Sequence, residues 1–85
     1  MLTLVNIFVE SKYMDDIVDA LLQIQGVEAF YEVTGEFDLA IMVSTKGTEE
    51  LRDFLKNMVM KINGVKSTVS SIVLRTCKGP KSIER

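Results

Sequence analysis

Apolar residues recur along this chain with two different periods, and the changes of period set out its elements. From Leu2 to Val9, Thr3, Val5, Ile7 and Val9 alternate with Leu2, Leu4, Asn6 and Phe8, which is a strand pattern. The period then lengthens: Tyr13, Met14, Ile17, Leu21 and Ile24 fall on one face of a helix. Val27, Ala29, Tyr31 and Val33 return to alternation, and Leu39, Ile41 and Val43 alternate with Ala40 and Met42. Two further strands are therefore expected, joined across Thr34 to Asp38 by a tight turn. A second helix starts near Thr48, where Glu49 and Glu50 suit the positive end of its dipole. It carries Leu51, Phe54, Leu55, Met58 and Ile62 on one face. The last strand runs from Val65 to Leu74, with Val65, Val69 and Val73 on one face and Thr68 and Ser70 on the other.

The pattern repeats. Ile17-x-x-x-Leu21-x-x-Ile24-x-Gly26-Val27 recurs 38 residues later as Leu55-x-x-x-Val59-x-x-Ile62-x-Gly64-Val65. Gly26 and Gly64 sit where a left-handed helix cap belongs. Two strand–helix–strand units in tandem give an α+β fold, a ferredoxin-like βαββαβ sandwich with a four-stranded antiparallel sheet and both helices on one face. Two helices cover one face of four strands, yet the first and third strands are apolar on both faces. The uncovered face amounts to about 400 Å² in projection, as large as the biggest apolar patch on typical monomers. A homodimer with sheets paired face to face is expected.

Composition narrows the function classes. Eighty-five residues, 47% hydrophobic with one proline, make one small domain (residues 1–76) and a short tail (residues 77–85) broken by Gly79-Pro80. A core this small gains from self-association. Ten basic residues against 12 acidic ones, net −2, leave no clustered basic surface for nucleic acid. Only Lys78, Lys81 and Arg85 are locally basic, and they read as a solvated tail. The single Cys77 permits no internal disulfide, which fits the cytoplasm. No apolar run is long enough to span a membrane, and Asn6 and Glu10 interrupt the N-terminal one.

Familiar catalytic sets are missing. There is no histidine, and Cys77 has no partner for a dyad. Asp15 and Asp16 are adjacent and point to different parts of a helix surface. The five glycines form no phosphate loop, and the five methionines read as adaptable core filling. No cofactor or metal is expected. What remains is the stretch Val33-Thr34-Gly35-Glu36-Phe37-Asp38-Leu39. Glycine there supplies positive φ, and Asp38 can accept backbone N–H bonds, a purely structural use. A fixed carboxylate, free turn N–H groups and the hydroxyls of Thr68 and Ser70 would also suit a small zwitterion, the carboxylate taking an ammonium group.

Val27, the run Tyr31-Glu32-Val33-Thr34-Gly35-Glu36-Phe37-Asp38-Leu39, Gly64-Val65, Thr68, Ser70 and Ile72-Val73-Leu74 together resemble the effector-binding (RAM) domain of the Lrp/AsnC transcriptional regulators. The resemblance covers Leu2 to Leu74. It implies a βαββαβ domain that dimerises through its sheet and assembles further, up to a tetramer of dimers (an octamer). Amino acids would bind in clefts where dimers meet. It further implies that Gly35, Phe37 and Asp38 line the cleft, with Thr68 and Ser70 from a neighbouring chain and Asp38 on the α-ammonium. The regulators carry an N-terminal helix-turn-helix domain, whereas here a strand begins at Leu2. The chain is thus similar to stand-alone RAM proteins, which sense amino acids or co-assemble with a full-length regulator. Other readings of the same pattern are a small dimeric monooxygenase, an ACT-like module pairing its sheets side by side, and an assembly module without a ligand.

Overall fold

A computed structural model describes residues 1–79; Pro80 to Arg85, including the basic tail residues Lys81 and Arg85, lie outside the described residues. Strand β1 (Leu2–Val9) leads through a 3-10 turn (Ser11–Tyr13) into helix α1 (Met14–Leu22). Strands β2 (Val27–Glu32) and β3 (Leu39–Ser44) follow. Helix α2 (Thr48–Phe54) passes into a π-helical turn (Leu55–Val59) before strand β4 (Val65–Ile72). The sheet order is β2-β3-β1-β4 with every neighbouring pair antiparallel. This is the expected ferredoxin-like βαββαβ sandwich, with β2 and β4 ending one and two residues before Val33 and Leu74.

The core lies between the helices and one sheet face. Val5, Ile7 and Val9 of β1, Leu39, Ile41 and Val43 of β3, Ile17 and Leu21 of α1, and Val59 form one buried cluster. Tyr13, Met14, Ile24, Phe54, Leu55 and Ile62 pack around it. Gly26 and Gly64 close the two helical segments at φ +94° and +96°. Gly64 has a second constraint: a β-carbon there would sit 2.4 Å from the Tyr13 Cβ. The Gly64 carbonyl also accepts the Glu10 N–H at 2.8 Å, tying the start of β4 to the end of β1.

Three expectations need correction. Met58 does not join the core; it is 45% exposed, and Val59 is fully buried in its place. The physical reason is spacing. Leu51, Leu55 and Val59 recur at strict intervals of four, which drift by about 40° per step on a 3.6-residue helix. Widening the last turn, with Met60 N–H donating to the Leu55 carbonyl at 2.8 Å, brings Val59 back into line. Second, Val65 and Val69 do not share a face. Val65 pairs with Val9 on the helix side, but a register shift then leaves Lys66 unmatched, and Val69 pairs with Asn6 on the other side. Third, the same shift occurs in β2. Val27 pairs with core-facing Val43, Glu28 is skipped, and Ala29 and Tyr31 pair with Met42 and Ala40 on the opposite face. Both shifts fall on the charged residue after a Gly-Val pair, at equivalent points of the repeat. Each bulge keeps the valine in the core while turning the rest of its strand over.

Among the described residues no helix covers the other sheet face. The register places Leu4, Asn6 and Phe8 of β1, Ala40 and Met42 of β3, Ala29 and Tyr31 of β2, and Val69 of β4 on it. The apolar second face expected from the sequence is therefore present, with Tyr31 and Val69 about half exposed.

Candidate functional site

The β2–β3 connection is built by three backbone and side-chain bonds. Val33 N–H donates to the Asp38 carbonyl at 3.0 Å and closes the turn. Gly35 takes φ +108°, with open space where a side chain would be. Asp38 N–H donates to the Ile7 carbonyl at 3.1 Å, carrying the β1–β3 ladder one step beyond its last pair. There β3 ends, and the next inward-facing donor of β1, Val9 N–H, has no strand to meet. Asp38 Oδ2 accepts it at 2.9 Å. A buried backbone donor must be satisfied, and a carboxylate just past the strand end does so. The structural use of Asp38 weighed from the sequence is thus realised by one of its oxygens. Oδ1 carries no hydrogen bond among the described residues.

Phe37 lies beside this carboxylate and folds back onto the sheet. Its ring centroid is 4.6 Å from that of Phe8, with the planes tilted by 45°. Phe8 is on the uncovered face, so the Gly35–Phe37–Asp38 corner stands at the rim of that face. Phe8 and the Val9 N–H are the site residues that sequence reasoning missed. The alternation of β1 does place Phe8 on the face without helices, and that was the available signal.

Thr68 and Ser70 occupy a different place. They pair with Ile7 and Val5 across β1, on the helix side of edge strand β4. Asp38 continues β3, on the far side of β1. Two strand spacings, about 10 Å, separate the two groups. One chain therefore brings Gly35, Phe37 and Asp38 together, and Thr68 and Ser70 together, but does not join the two sets in one cleft. Clefts on this chain open elsewhere, against α2 around Glu50, Asp53 and Asn57, and against α1 around Val18, Leu22 and Phe30. Among the described residues no group of three or more acidic or cysteine side chains is placed to hold a metal ion, and no helix is long and apolar enough to cross a membrane.

Residues 2–83 match the profile of the Lrp/AsnC ligand binding domain. The chain is 33% identical over 78 residues to the HTH-type transcriptional regulator FL11 of Pyrococcus abyssi, covering 92% of this chain and 51% of that protein. It is similar in structure to the feast or famine regulatory protein of M. tuberculosis complexed with L-methionine. There the identity is 27% and the TM-score 0.81, over 94% of this chain and 54% of that one. A protein of Thermus thermophilus is 26% identical with TM-score 0.84, over 92% of this chain and 98% of its own. The chain thus spans about half the length of the regulators it matches. With the turn, the sheet order and a profile match running almost end to end, the chain belongs to the Lrp/AsnC ligand-binding domain family.

Proposed function

We propose that this chain is an amino-acid effector-binding and oligomerisation module that acts in transcription regulation. It senses a free amino acid, co-assembles with a full-length Lrp/AsnC regulator, or does both. The observation that carries this reading is the family match over residues 2–83. A 27% identical relative of the same fold, a regulatory protein, is complexed with L-methionine, which points to an amino acid as the ligand class.

Chain pairs form through the uncovered sheet face, where Leu4, Phe8, Met42, Tyr31 and Val69 supply the apolar surface. Such pairs assemble into a higher oligomer of up to eight chains. The effector sits where pairs meet. Gly35, Phe37 and Asp38 of one chain contribute the turn, and Thr68 and Ser70 of a neighbour contribute hydroxyls. This division suits their separation within one chain. Asp38 is held rigidly by the Val9 N–H on one oxygen, leaving Oδ1 for the ligand's α-ammonium. The ligand carboxylate is taken by turn N–H groups near Gly35 and by the neighbour's hydroxyls. The module binds rather than catalyses, does not itself contact nucleic acid, and works in the cytoplasm. Calorimetric titration with each of the twenty amino acids tests this. Saturable binding of one or a few, weakened by Asp38→Ala and by Ser70→Ala, is expected; no binding of any would refute effector sensing.

A further inference from the structure

Strand β1 holds the Gly35–Asp38 corner through three consecutive residues, and each holds it differently. The Ile7 carbonyl accepts the Asp38 N–H at 3.1 Å, and the Val9 N–H donates to Asp38 Oδ2 at 2.9 Å. Both are backbone groups, so Asp38 keeps these tethers whatever side chains β1 carries at those positions. Phe8, between them, presents its side chain to the uncovered sheet face. There its ring meets that of Phe37 with centroids 4.6 Å apart, near the short end of the spacings that aromatic pairs take.

That ring contact is the tether of Phe37. Neither its N–H nor its carbonyl makes a hydrogen bond among the described residues, and the same holds for the backbone of Thr34, Gly35 and Glu36. Gly35 stands in open space at φ +108°, so nothing on that side confines the ring. Both rings are half-buried, which leaves part of Phe37 open beside the carboxylate. The two tasks of amino-acid recognition thus fall on different tethers. The ammonium, common to every amino acid, meets a carboxylate fixed by backbone. The side chain, which tells amino acids apart, meets a ring fixed by one side chain.

Resting on the effector reading above, we propose that Phe8 is a positioning residue that sets the selectivity of the effector site. It does not touch the effector. It fixes the Phe37 ring as a wall for the effector's side chain, so that apolar side chains add to the affinity that the ammonium provides. A wall already in place needs no ordering when the ligand arrives, whereas a loose one must be ordered on binding, which lowers affinity. Phe8 is also part of the sheet-pairing surface, so a second chain laid on that face confines the same ring.

Calorimetric titration of the full chain separates the two tasks. Of the twenty amino acids, the one that the parent binds most tightly is compared with glycine, which has the same ammonium and carboxylate and no side chain. Phe8→Leu keeps an apolar side chain for sheet pairing but removes the ring. It is expected to narrow the affinity ratio between the two ligands about three- to tenfold and to leave glycine affinity unchanged. Phe8→Tyr retains the ring and is expected to restore the parent ratio. Asp38→Asn keeps an acceptor for the Val9 N–H but loses the charge, and is expected to weaken both ligands alike. The tether itself is read without any ligand in Phe37→Trp, since the chain has no tryptophan of its own. Its fluorescence anisotropy is expected to fall when Phe8→Leu is added. Circular dichroism and sedimentation velocity check that each variant is folded and paired; Phe8→Met takes the place of Phe8→Leu if the latter is not. A parent whose tightest ligand is glycine or a charged amino acid, an unchanged ratio, an equal loss for both ligands, or an anisotropy indifferent to Phe8→Leu would overturn the assignment and leave effector binding standing. A parent that binds no amino acid would refute the effector reading, and the assignment with it.

Discussion

The two cap glycines offer an internally controlled test of the packing. Gly26 and Gly64 occupy equivalent positions of the repeat and have nearly the same φ, +94° and +96°. Their surroundings differ. A β-carbon on Gly26 meets nothing closer than the Ser44 carbonyl oxygen at 3.7 Å, an ordinary contact. A β-carbon on Gly64 would fall 2.4 Å from Tyr13 Cβ, 2.7 Å from Cγ and 2.9 Å from Cδ2. The closest of these is the root of the side chain, which cannot swing away. Gly26→Ala therefore bears only the left-handed backbone cost, about 1–2 kcal/mol, offset in part by about 0.4–1 kcal/mol of lost unfolded-state entropy. Gly64→Ala bears the same terms plus overpacking of about 1–3 kcal/mol. It should therefore be less stable than Gly26→Ala by that last amount, which is roughly 4–8 °C in Tm per kcal/mol for a domain of this size. Urea denaturation of both variants at one protein concentration measures the difference, since association makes stability concentration-dependent. If the two variants agreed within about 0.5 kcal/mol, the close packing of Tyr13 on Gly64 would be refuted.

Other substitutions report on other links. Thr3 is fully buried on the helix face and its Oγ1 has no hydrogen-bond partner among the described residues, so Thr3→Val should stabilise by about 1 kcal/mol in urea denaturation; a loss of stability would mean that the hydroxyl is satisfied. Asp38→Ala strands the Val9 N–H and should cost about 1–3 kcal/mol, while Asp38→Asn keeps an acceptor and should cost less; equal costs would show that the acceptor does not matter. The π-helical turn predicts that Val59→Ala costs about 2 kcal/mol and Met58→Ala under about 0.5 kcal/mol. The reverse order, read from thermal melts, would mean that α2 continues as a regular helix to its end.

Much of this fold is legible in the residues because each strand and helix carries its own period, and because Gly26 and Gly64 mark both helix ends. The faces of β2 and β4 are less legible. A single extra residue at Glu28 or Lys66 inverts the remainder of a strand without changing its composition, so straightforward alternation puts Val69 with Val65. The signal lay in the repeat, where Gly-Val is followed by a charged residue both times. The choice between Met58 and Val59 is hidden for a related reason. Both are apolar and lie three and four residues after Leu55; the helical period admits either, and the signals for Val59 are the spacing from Leu51 and the repeat, where Val59 stands at the place of Leu21. Of the candidate site, the turn could be recognised as a unit, since its glycine and its aspartate serve adjacent needs of one corner. The distance between Asp38 and the Thr68–Ser70 pair could not, because strand order is set by contacts far apart in sequence.

The central claim, an amino-acid effector held by an oligomer, is tested most directly by native mass spectrometry of the full chain with and without a mixture of the twenty amino acids. The account predicts an even-numbered assembly that gains the mass of one or a few amino acids, with the gain abolished in Asp38→Ala. A monomer, or an assembly that gains no mass from any amino acid, would contradict it.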